Sequence, residues 1–265
     1  MRPYVHTFTL GLVSMCLANC GNHVWDQFRE DFHSSYPLSA GARLEVENPN
    51  GPVDIWGWDQ NNVDVSGTKY ASSPDRLKQI KIDVIPATGS LSIRTIRPGA
   101  PWENTGVHYV LRVPRGVKLD RVFTSNGSIQ VNDIDAGANL RTSNGPVRVF
   151  ASKGAIEVST SNGPVRVTDA SGPATLRTHN GPIELTLDSV HEVLASTSNG
   201  PITLRIPSDA GATLHARTTI GPIHSDFDLS AEDRISRNHL DGTIGPGGPL
   251  LDLSTSNGPI RVLQR

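Results

Sequence analysis

One short phrase recurs along the sequence at nearly constant spacing. Its clearest copies are TSNGPVRV, TSNGPVRV, THNGPIEL, TSNGPITL and TSNGPIRV, and they begin at Thr142, Thr160, Thr178, Thr197 and Thr255. From Asn126 to Asn199 the Asn residues of successive copies are separated by 18, 18, 18 and 19 residues. An earlier NGP stands at residues 50–52, and degenerate IGP copies stand at 220–222 and 244–246. Repetition at a fixed period predicts a fold made by stacking one small unit on the next.

The residues after each Asn-Gly pair alternate between apolar and polar. The third and fifth residues after the Asn are apolar in the clear copies, as Val147 and Val149 are after Asn144, and the residue between them is polar. This period of two is typical of a half-buried strand. A second Gly falls near the middle of the early repeats, at Gly137 and Gly154, so each unit holds at least two short strands and two turns.

A unit of this size cannot bury its own apolar face, but stacked copies can, because Val147 then lies over Val165 and Val165 over Ile183. We therefore predict an all-β, single-chain β-solenoid, similar to a parallel β-helix, with coils of about 18 residues. A meander of antiparallel hairpins is the alternative, since Asn-Gly also forms hairpin turns. The Pro after each Gly and the constant step favour parallel stacking.

The repeated Asn-Gly pairs are interpreted as a structural ladder of turns, because a catalytic motif is needed once and an architectural one in every coil. Gly adopts a left-handed backbone at little cost, Asn tolerates one, and Pro restarts an extended segment. Stacked Asn side chains can also hydrogen-bond along the stack. The ladder comprises Asn126, Gly127, Asn144, Gly145, Asn162, Gly163, Asn180, Gly181, Asn199, Gly200, Asn257 and Gly258.

A column of Thr residues precedes the turns by two positions. Its members are Thr124, Thr142, Thr160, Thr178, Thr197 and Thr255. The alternation places them on the apolar side, so we expect them to point inward and to bond to stacked neighbours. The adjacent Ser and Arg residues, such as Ser143 and Arg141, are expected to face outward.

The N-terminus predicts export. Arg2 precedes an apolar run at residues 8–18, which has the length of a signal peptide and is short for a membrane-spanning helix. The run ends in LANCG at 17–21, which resembles a bacterial lipobox and makes Cys20 the expected lipidation site, although Asn19 stands where a small residue is usual. An ordinary secretory signal or an uncleaved anchor is the alternative.

A lipidated Cys20 would attach the chain to a membrane of the cell envelope. Gly21, rather than Asp, follows the cysteine, and this favours the outer membrane in an organism that has one. The side of display is left open.

The rest of the chain divides into segments of unequal regularity. Residues 21–38 are interpreted as a linker that can include a short helix around 25–32, residues 39–120 as a less regular β-rich part, and residues 121–265 as the solenoid repeats. The β-rich part is either an irregular first stretch of the solenoid or a sandwich-like cap that protects exposed strand edges. A helical turn is expected from Pro74. The rhythm breaks near 226–248, which we interpret as a loop insertion.

Four acidic residues in this insertion, Asp226, Asp228, Glu232 and Asp233, form a candidate binding loop. They lack the spacing of an EF-hand or of a calcium-binding nonapeptide repeat. The nine His residues are scattered, and both Cys residues lie in the first 20 positions, so no metal site and no cofactor is predicted. The net charge of −2 gives no indication of nucleic-acid binding.

Three stretches together resemble a bacterial family known as "putative adhesin" domains with β-strand repeats, which are domains of unknown function often found in lipoproteins. They are LEVENPNGPVDIWGWD at 44–59, VHYVLRVPRGVKL at 107–119 and the TSNGPVRV ladder. The resemblance covers about residues 38–265. It implies no defined substrate and supplies no catalytic residues.

We therefore expect an adhesin-like or scaffolding surface whose partner is an envelope protein or a glycan. Beyond residue 110 the only Phe, Trp or Tyr residues are Phe123, Phe150 and Phe227, which favours a protein partner or a structural role over glycan stacking. The alternative is a polysaccharide-active enzyme of the β-helix type, a lyase or hydrolase, which would need clustered Asp, Glu and basic residues on one face.

Overall fold

The structure, a computed structural model, describes residues 28–96, 104–229 and 234–265. In these ranges the chain forms 23 strands and one short helix. The elements are β1 (Phe28–Pro37), β2 (Arg43–Asn50), β3 (Val53–Trp58), β4 (Asn62–Ala71), α1 (Pro74–Gln79), β5 (Lys81–Ala87), β6 (Ser90–Ile96), β7 (Gly106–Pro114), β8 (Lys118–Asn126), β9 (Ile129–Ile134), β10 (Ala138–Asn144), β11 (Val147–Ser152), β12 (Ile156–Asn162), β13 (Val165–Ala170), β14 (Ala174–Asn180), β15 (Ile183–Leu187), β16 (Val193–Asn199), β17 (Ile202–Ile206), β18 (Ala212–Ile220), β19 (Ile223–Ser225), β20 (Arg234–Ser236), β21 (His239–Ile244), β22 (Leu250–Asn257) and β23 (Ile260–Gln264).

Two long sheets form the molecule, and each coil of chain contributes one strand to each of them. Sheet A has the order β1-β4-β7-β3-β9-β11-β13-β15-β17-β23-β19, and sheet B has the order β20-β21-β18-β22-β16-β14-β12-β10-β8-β2-β6-β5. The coils stack in parallel, which confirms the β-solenoid and excludes the hairpin meander for the repeats. From one end to the other, the nine coils are β6–β7, β2–β3, β8–β9, β10–β11, β12–β13, β14–β15, β16–β17, β22–β23 and β18–β19.

The register of the coils is the one that the sequence columns indicate. Val147 pairs with Val165, and Val165 pairs with Ile183, and all three side chains have no exposed surface. On the facing sheet Leu140 pairs with Val158, and both are equally buried. Burial of each such side chain stabilises the fold by about 1.5–3 kcal/mol, and one continuous cluster of buried residues runs through the stack.

At the N-terminal end, the less regular region is part of the solenoid and also caps it. Strand β2 continues the ladder, with Asn50 in register with Asn126, and the later coil β6–β7 lies outside it. Strands β4 and β1 extend sheet A in antiparallel fashion, and β5 extends sheet B in the same way. This region therefore adds coils to the stack and antiparallel strands to the edges of both sheets.

Helix α1 lies at this capped end. It begins after Ser73, whose hydroxyl accepts a hydrogen bond from the Arg76 amide, and it has Pro74 in its first turn. Leu77 of the helix and Ile80 just after it are buried in the core. The helical turn expected from Pro74 is thus present.

The predicted linker differs from the structure. Residues 28–37 form β1, which pairs along its whole length with β4, so the chain has no short helix over the described part of 25–32. Phe32 packs edge-on against Tyr109 at a ring distance of 5.8 Å, across Gly67. Alternate residues of β1 therefore reach the core, and this pairing outweighs the polar composition that suggested a linker. Residues 21–27 lie outside the described residues.

At the C-terminal end, the order of the coils departs from the order of the chain. After β17 the chain skips one position to form β18–β19, and β22–β23 then fills the vacant place. Asn257 consequently lies between Asn199 and Ile220. The break predicted near 226–248 includes β20 and β21, and β21 pairs antiparallel with β18, so the insertion is partly a strand pair rather than a loop. The IGP copy at 244–246 does not form a coil turn.

Candidate functional site

The Asn ladder runs along one edge of the molecule, where the chain passes from sheet B to sheet A. Each Asn amide donates a hydrogen bond from Nδ2 to the Oδ1 of the Asn in the preceding coil. The distances lie between 2.8 and 2.9 Å, from Asn144 bound to Asn126 up to Asn257 bound to Asn199. The chain of bonds uses these amides for stacking, and it explains the repeated Asn without a ligand.

The Thr column points inward and bonds to the neighbouring coils, as the alternation indicates, and its acceptors are backbone carbonyls. Each Thr hydroxyl donates to the carbonyl oxygen of a Gly in the neighbouring coil, for example from Thr178 to Gly163 at 3.0 Å. The same bond recurs from Thr124 to Gly51 and from Thr218 to Gly258, at the two ends of the stack. The Thr hydroxyls therefore join the turns of adjacent coils by hydrogen bonds and do not form an array of hydroxyls on the surface.

The ladder Gly residues are required by lack of space. A Cβ on Gly163 would lie 2.1 Å from the carbonyl oxygen of Gly145, well inside van der Waals contact. A positive φ occurs at Gly181, Gly200 and Gly258, between 154° and 155°, but not at Gly163 or Gly145, so the expected backbone accounts for only part of the ladder. Close stacking of the coils is the reason for Gly at the latter two positions.

The candidate binding loop is only partly described. The Asp226 carboxylate contacts the His224 ring at 2.9 Å and accepts the backbone amide of Gln264 at 3.3 Å, so it ties β19 to β23. Asp228 is described and has no such contact, while Glu232 and Asp233 lie outside the described residues. Cys20 also lies outside them. Of the four acidic residues, the structure therefore describes only Asp226 and Asp228, and the binding loop stays a prediction.

Metal and membrane features can be assessed for the described ranges. There, no group of three or more His, Cys, Asp or Glu residues is placed to hold a metal ion. In the same ranges, no helix is long and apolar enough to cross a membrane.

A shallow depression of about 560 Å³ lies on sheet B near its C-terminal end. It is lined by Arg217, Thr218, Thr219, Asn238, His239, Asp252, Ser254 and Thr255. Beside it, Asp241 bridges two imidazoles, with 2.7 Å to His215 Nδ1 and 2.7 Å to His239 Nε2. Partial burial alone would raise the pKa of Asp241, but the hydrogen bonds from the two His residues outweigh it and lower that pKa. The depression contains one carboxylate, Asp252.

The outer face of sheet A carries a different arrangement, a row of two aromatic residues with an amide between them. Trp56 on β3 pairs with Asn132 on β9, and Asn132 pairs with Phe150 on β11. Trp56 is 42% exposed and Phe150 is 49% exposed, whereas Asn132 between them is only 7% exposed. The Nδ2 atom of Asn132 is buried and has no hydrogen-bond partner among the described residues. We call Trp56, Asn132 and Phe150 the aromatic row.

Charged and polar residues surround the aromatic row. Arg112 continues it on the far side of Trp56, and Arg148 lies two residues before Phe150 on the same face. Among the described residues, neither Arg forms an ion pair. Asp54, two residues before Trp56, is bound to His108 at 2.8 Å. This hydrogen bond outweighs the effect of burial and raises the pKa of His108.

The aromatic row was not predicted from the sequence, because the aromatic residues beyond position 110 do not include Trp56. A signal was nevertheless present. Trp56, Asn132 and Phe150 are each the sixth residue after the ladder Asn of their own coil, Asn50, Asn126 and Asn144 in turn. Aligning the early NGP copy with the later ones would have placed the three in one column.

Comparison with known proteins gives a family and distant structural neighbours. The family described as Toastrack DUF4097 matches residues 45–263. No curated protein matches the sequence. One similar solved structure is described as "a putative adhesin" from Bacteroides fragilis, with 16% identity, a TM-score of 0.47, and coverage of 89% of this chain and 97% of that one. Another is "a putative cell adhesion protein" from Clostridium sporogenes, with 11% identity, a TM-score of 0.39, and coverage of 89% and 100%.

Proposed function

Because the chain belongs to the Toastrack DUF4097 family, we propose that it is a non-enzymatic, adhesin-like or scaffolding protein of the bacterial cell envelope, with a binding surface on its outer sheet faces. One observation carries this proposal: the space between the two sheets is filled. Leu140, Val158, Val147 and Val165 face one another across the interior, and none has exposed surface. A ligand can therefore bind only on the outer faces of the sheets.

The arrangement of charges on those faces supports binding rather than catalysis. Several carboxylates of the central coils pair with cations of other coils, as Glu184 does with Arg166 at 2.7 Å. Asp169 of β13 pairs at 2.9 Å with Arg265, which follows β23 three coils further along the stack. Such exposed pairs contribute about 0–1 kcal/mol each, and they leave the carboxylates engaged. Hydrolysis of a glycosidic bond ordinarily uses two carboxyl groups that face one substrate bond.

The depression on sheet B is the observation that would favour the enzyme alternative, since Arg217, His239 and Asp252 line it. Its single carboxylate does not supply the pair that a glycosidase needs, and His239 is held by Asp241. Incubation of the purified chain with polysaccharides checks this point. We expect no new reducing ends and no unsaturated uronate absorbance. Either product would contradict the non-enzymatic proposal.

Attachment to the envelope is proposed to depend on Cys20, which follows the lipobox-like run and precedes the solenoid. Metabolic labelling with an alkyne fatty acid, followed by capture of the tagged chain, tests it. We expect label on the unmodified chain and on Cys16→Ser, the matched control four residues upstream, and none on Cys20→Ser. Equal labelling of Cys20→Ser would contradict the lipoprotein assignment.

Binding itself is tested by chemical crosslinking in the protein's own cells and recovery of the tagged full-length chain. The proposal predicts that most of the chain is recovered in complex with an envelope protein or an envelope polysaccharide. Recovery of the chain alone, under conditions where a known envelope complex is captured, would contradict a binding role.

A further inference from the structure

We propose that the aromatic row of Trp56, Asn132 and Phe150, with Arg112 and Arg148 beside it, binds an anionic polysaccharide on the outer face of sheet A. This inference rests on the proposed function and names the ligand class that one part of the outer surface would take. It depends on three independent features: two exposed rings, one unsatisfied buried amide and two cations without ion pairs.

The two rings are held at a fixed separation by the sheet. Trp56 and Phe150 stand on strands that flank β9, so two strand spacings, roughly 10 Å, separate them along the stacking direction. Gly57 fixes the position of Trp56, because a Cβ at Gly57 would lie 1.8 Å from the carbonyl oxygen of Asp133. An exposed ring on a rigid strand offers a flat apolar surface, with little entropy to lose when a sugar ring stacks on it.

The amide between the rings requires a hydrogen-bond acceptor. Asn132 is 7% exposed, and its Nδ2 has no partner among the described residues, a state that destabilises a buried polar group. The ladder amides do not share this feature, since those of Asn144 and Asn162, for example, are bonded along the stack. A sugar hydroxyl or carboxylate lying across the two rings would supply the missing acceptor. An apolar protein side chain would not.

The cations indicate the charge of the ligand. Arg112 lies next to Trp56 across β3 and β7, and Arg148 lies on the same strand and face as Phe150, so a cation flanks each ring. The nearby acid Asp54 is already bound by His108. Because the chain as a whole carries a net charge of −2, attraction of a polyanion would be local to this face. Uronate-bearing polysaccharides combine carboxylates with sugar rings that can stack.

The test is calorimetric titration of the purified full-length chain with polygalacturonate as the anionic probe and dextran as the neutral one. We expect binding of polygalacturonate and at least tenfold weaker binding of dextran. Trp56→Ala and Phe150→Ala should each weaken polygalacturonate binding roughly tenfold or more. Phe123→Ala is the matched control, because Phe123 lies on sheet B with Arg121 5.8 Å from its ring. This variant should bind polygalacturonate as tightly as the unmodified chain does.

A second variant separates recognition from folding. Asn132→Leu keeps the approximate size of the side chain and removes the unsatisfied donor, so we expect an unchanged or higher melting temperature together with weaker polygalacturonate binding. A purely structural Asn132 would give the opposite result: a lower melting temperature with binding unchanged.

Three outcomes would overturn the inference while leaving the proposed function intact. The first is that the unmodified chain does not bind polygalacturonate. The second is that binding survives both Trp56→Ala and Phe150→Ala. The third is that these variants lose a captured envelope protein rather than polysaccharide. Failure of the proposed function would appear separately, as recovery of the unmodified chain without any envelope partner.

Discussion

At the scale of single residues, the Thr, Asn and Gly of each turn have three different structural roles. At the end of strand β14, the Thr178 hydroxyl donates to the carbonyl of Gly163, and the Asn180 side-chain amide donates to that of Asn162. Gly181 makes room for this contact, since a Cβ there would lie 2.3 Å from the same Gly163 oxygen. The sequence predicted Asn stacking and an inward Thr. It could not identify the Thr acceptor, because the Gly carbonyl is a backbone group that every residue possesses.

Loss of one Thr hydroxyl should measurably weaken the stack. Thr178→Val keeps the shape of the side chain but leaves the Gly163 carbonyl without its hydroxyl donor, so we expect the free energy of unfolding to fall by about 1–2 kcal/mol. The measurement is chemical denaturation of both proteins. Thr175→Val, on the outer side of the same strand, is the matched control and should change the free energy by less than about 0.5 kcal/mol. Equal effects at both positions would contradict the assigned role.

At the scale of elements, the coils at both ends of the molecule stack out of chain order. Coil β6–β7 lies outside β2–β3 although it follows it in the chain, and β22–β23 lies inside β18–β19 although it comes last. The C-terminal strand β23 is therefore bonded on both sides, to β17 and to β19. Such an arrangement places the last strand where it cannot fray as an edge strand would.

Local patterns could predict the existence of these coils but not their order. The copies at Asn50 and Asn257 satisfy the same turn chemistry wherever they stack, so adjacency in the chain was the natural assumption. One difference does carry information. The coil with Ile220 in place of Asn is outermost, where no further Asn needs to be bonded, while the clean copy at Asn257 continues the ladder from Asn199. Degeneracy of a copy therefore indicates an end of the stack.

Hydrogen exchange tests the insertion of the last coil. Amides of residues 250–264 should exchange as slowly as those of residues 156–170 in the central coils, because both segments are bonded on two sides. Residues 81–87, which form the edge strand β5, serve as the internal control and should exchange faster. Rapid exchange across residues 250–264 would show that the last coil frays and does not lie between β16–β17 and β18–β19.

At the scale of the whole molecule, a filled interior and two long outer faces leave surface recognition as the function the fold supports. The solenoid class, the inward and outward columns and the turn ladder followed from periodicity alone. The aromatic row did not, since it joins residues of different types from three coils between positions 56 and 150. The role of β1 was also missed, because its pairing with β4 depends on a partner strand and not on its own composition.

The most direct test of surface recognition is site-specific photo-crosslinking in the protein's own cells. A photoreactive residue is placed at Thr168, which neighbours Phe150 on sheet A, or at Ser159 on sheet B of the same coil. Recognition on the outer face of sheet A predicts a high-mass adduct from position 168 and little from position 159, because the two positions lie on opposite outer faces of the same coil. Adducts from position 159 alone, equal adducts from both, or none from either would contradict it.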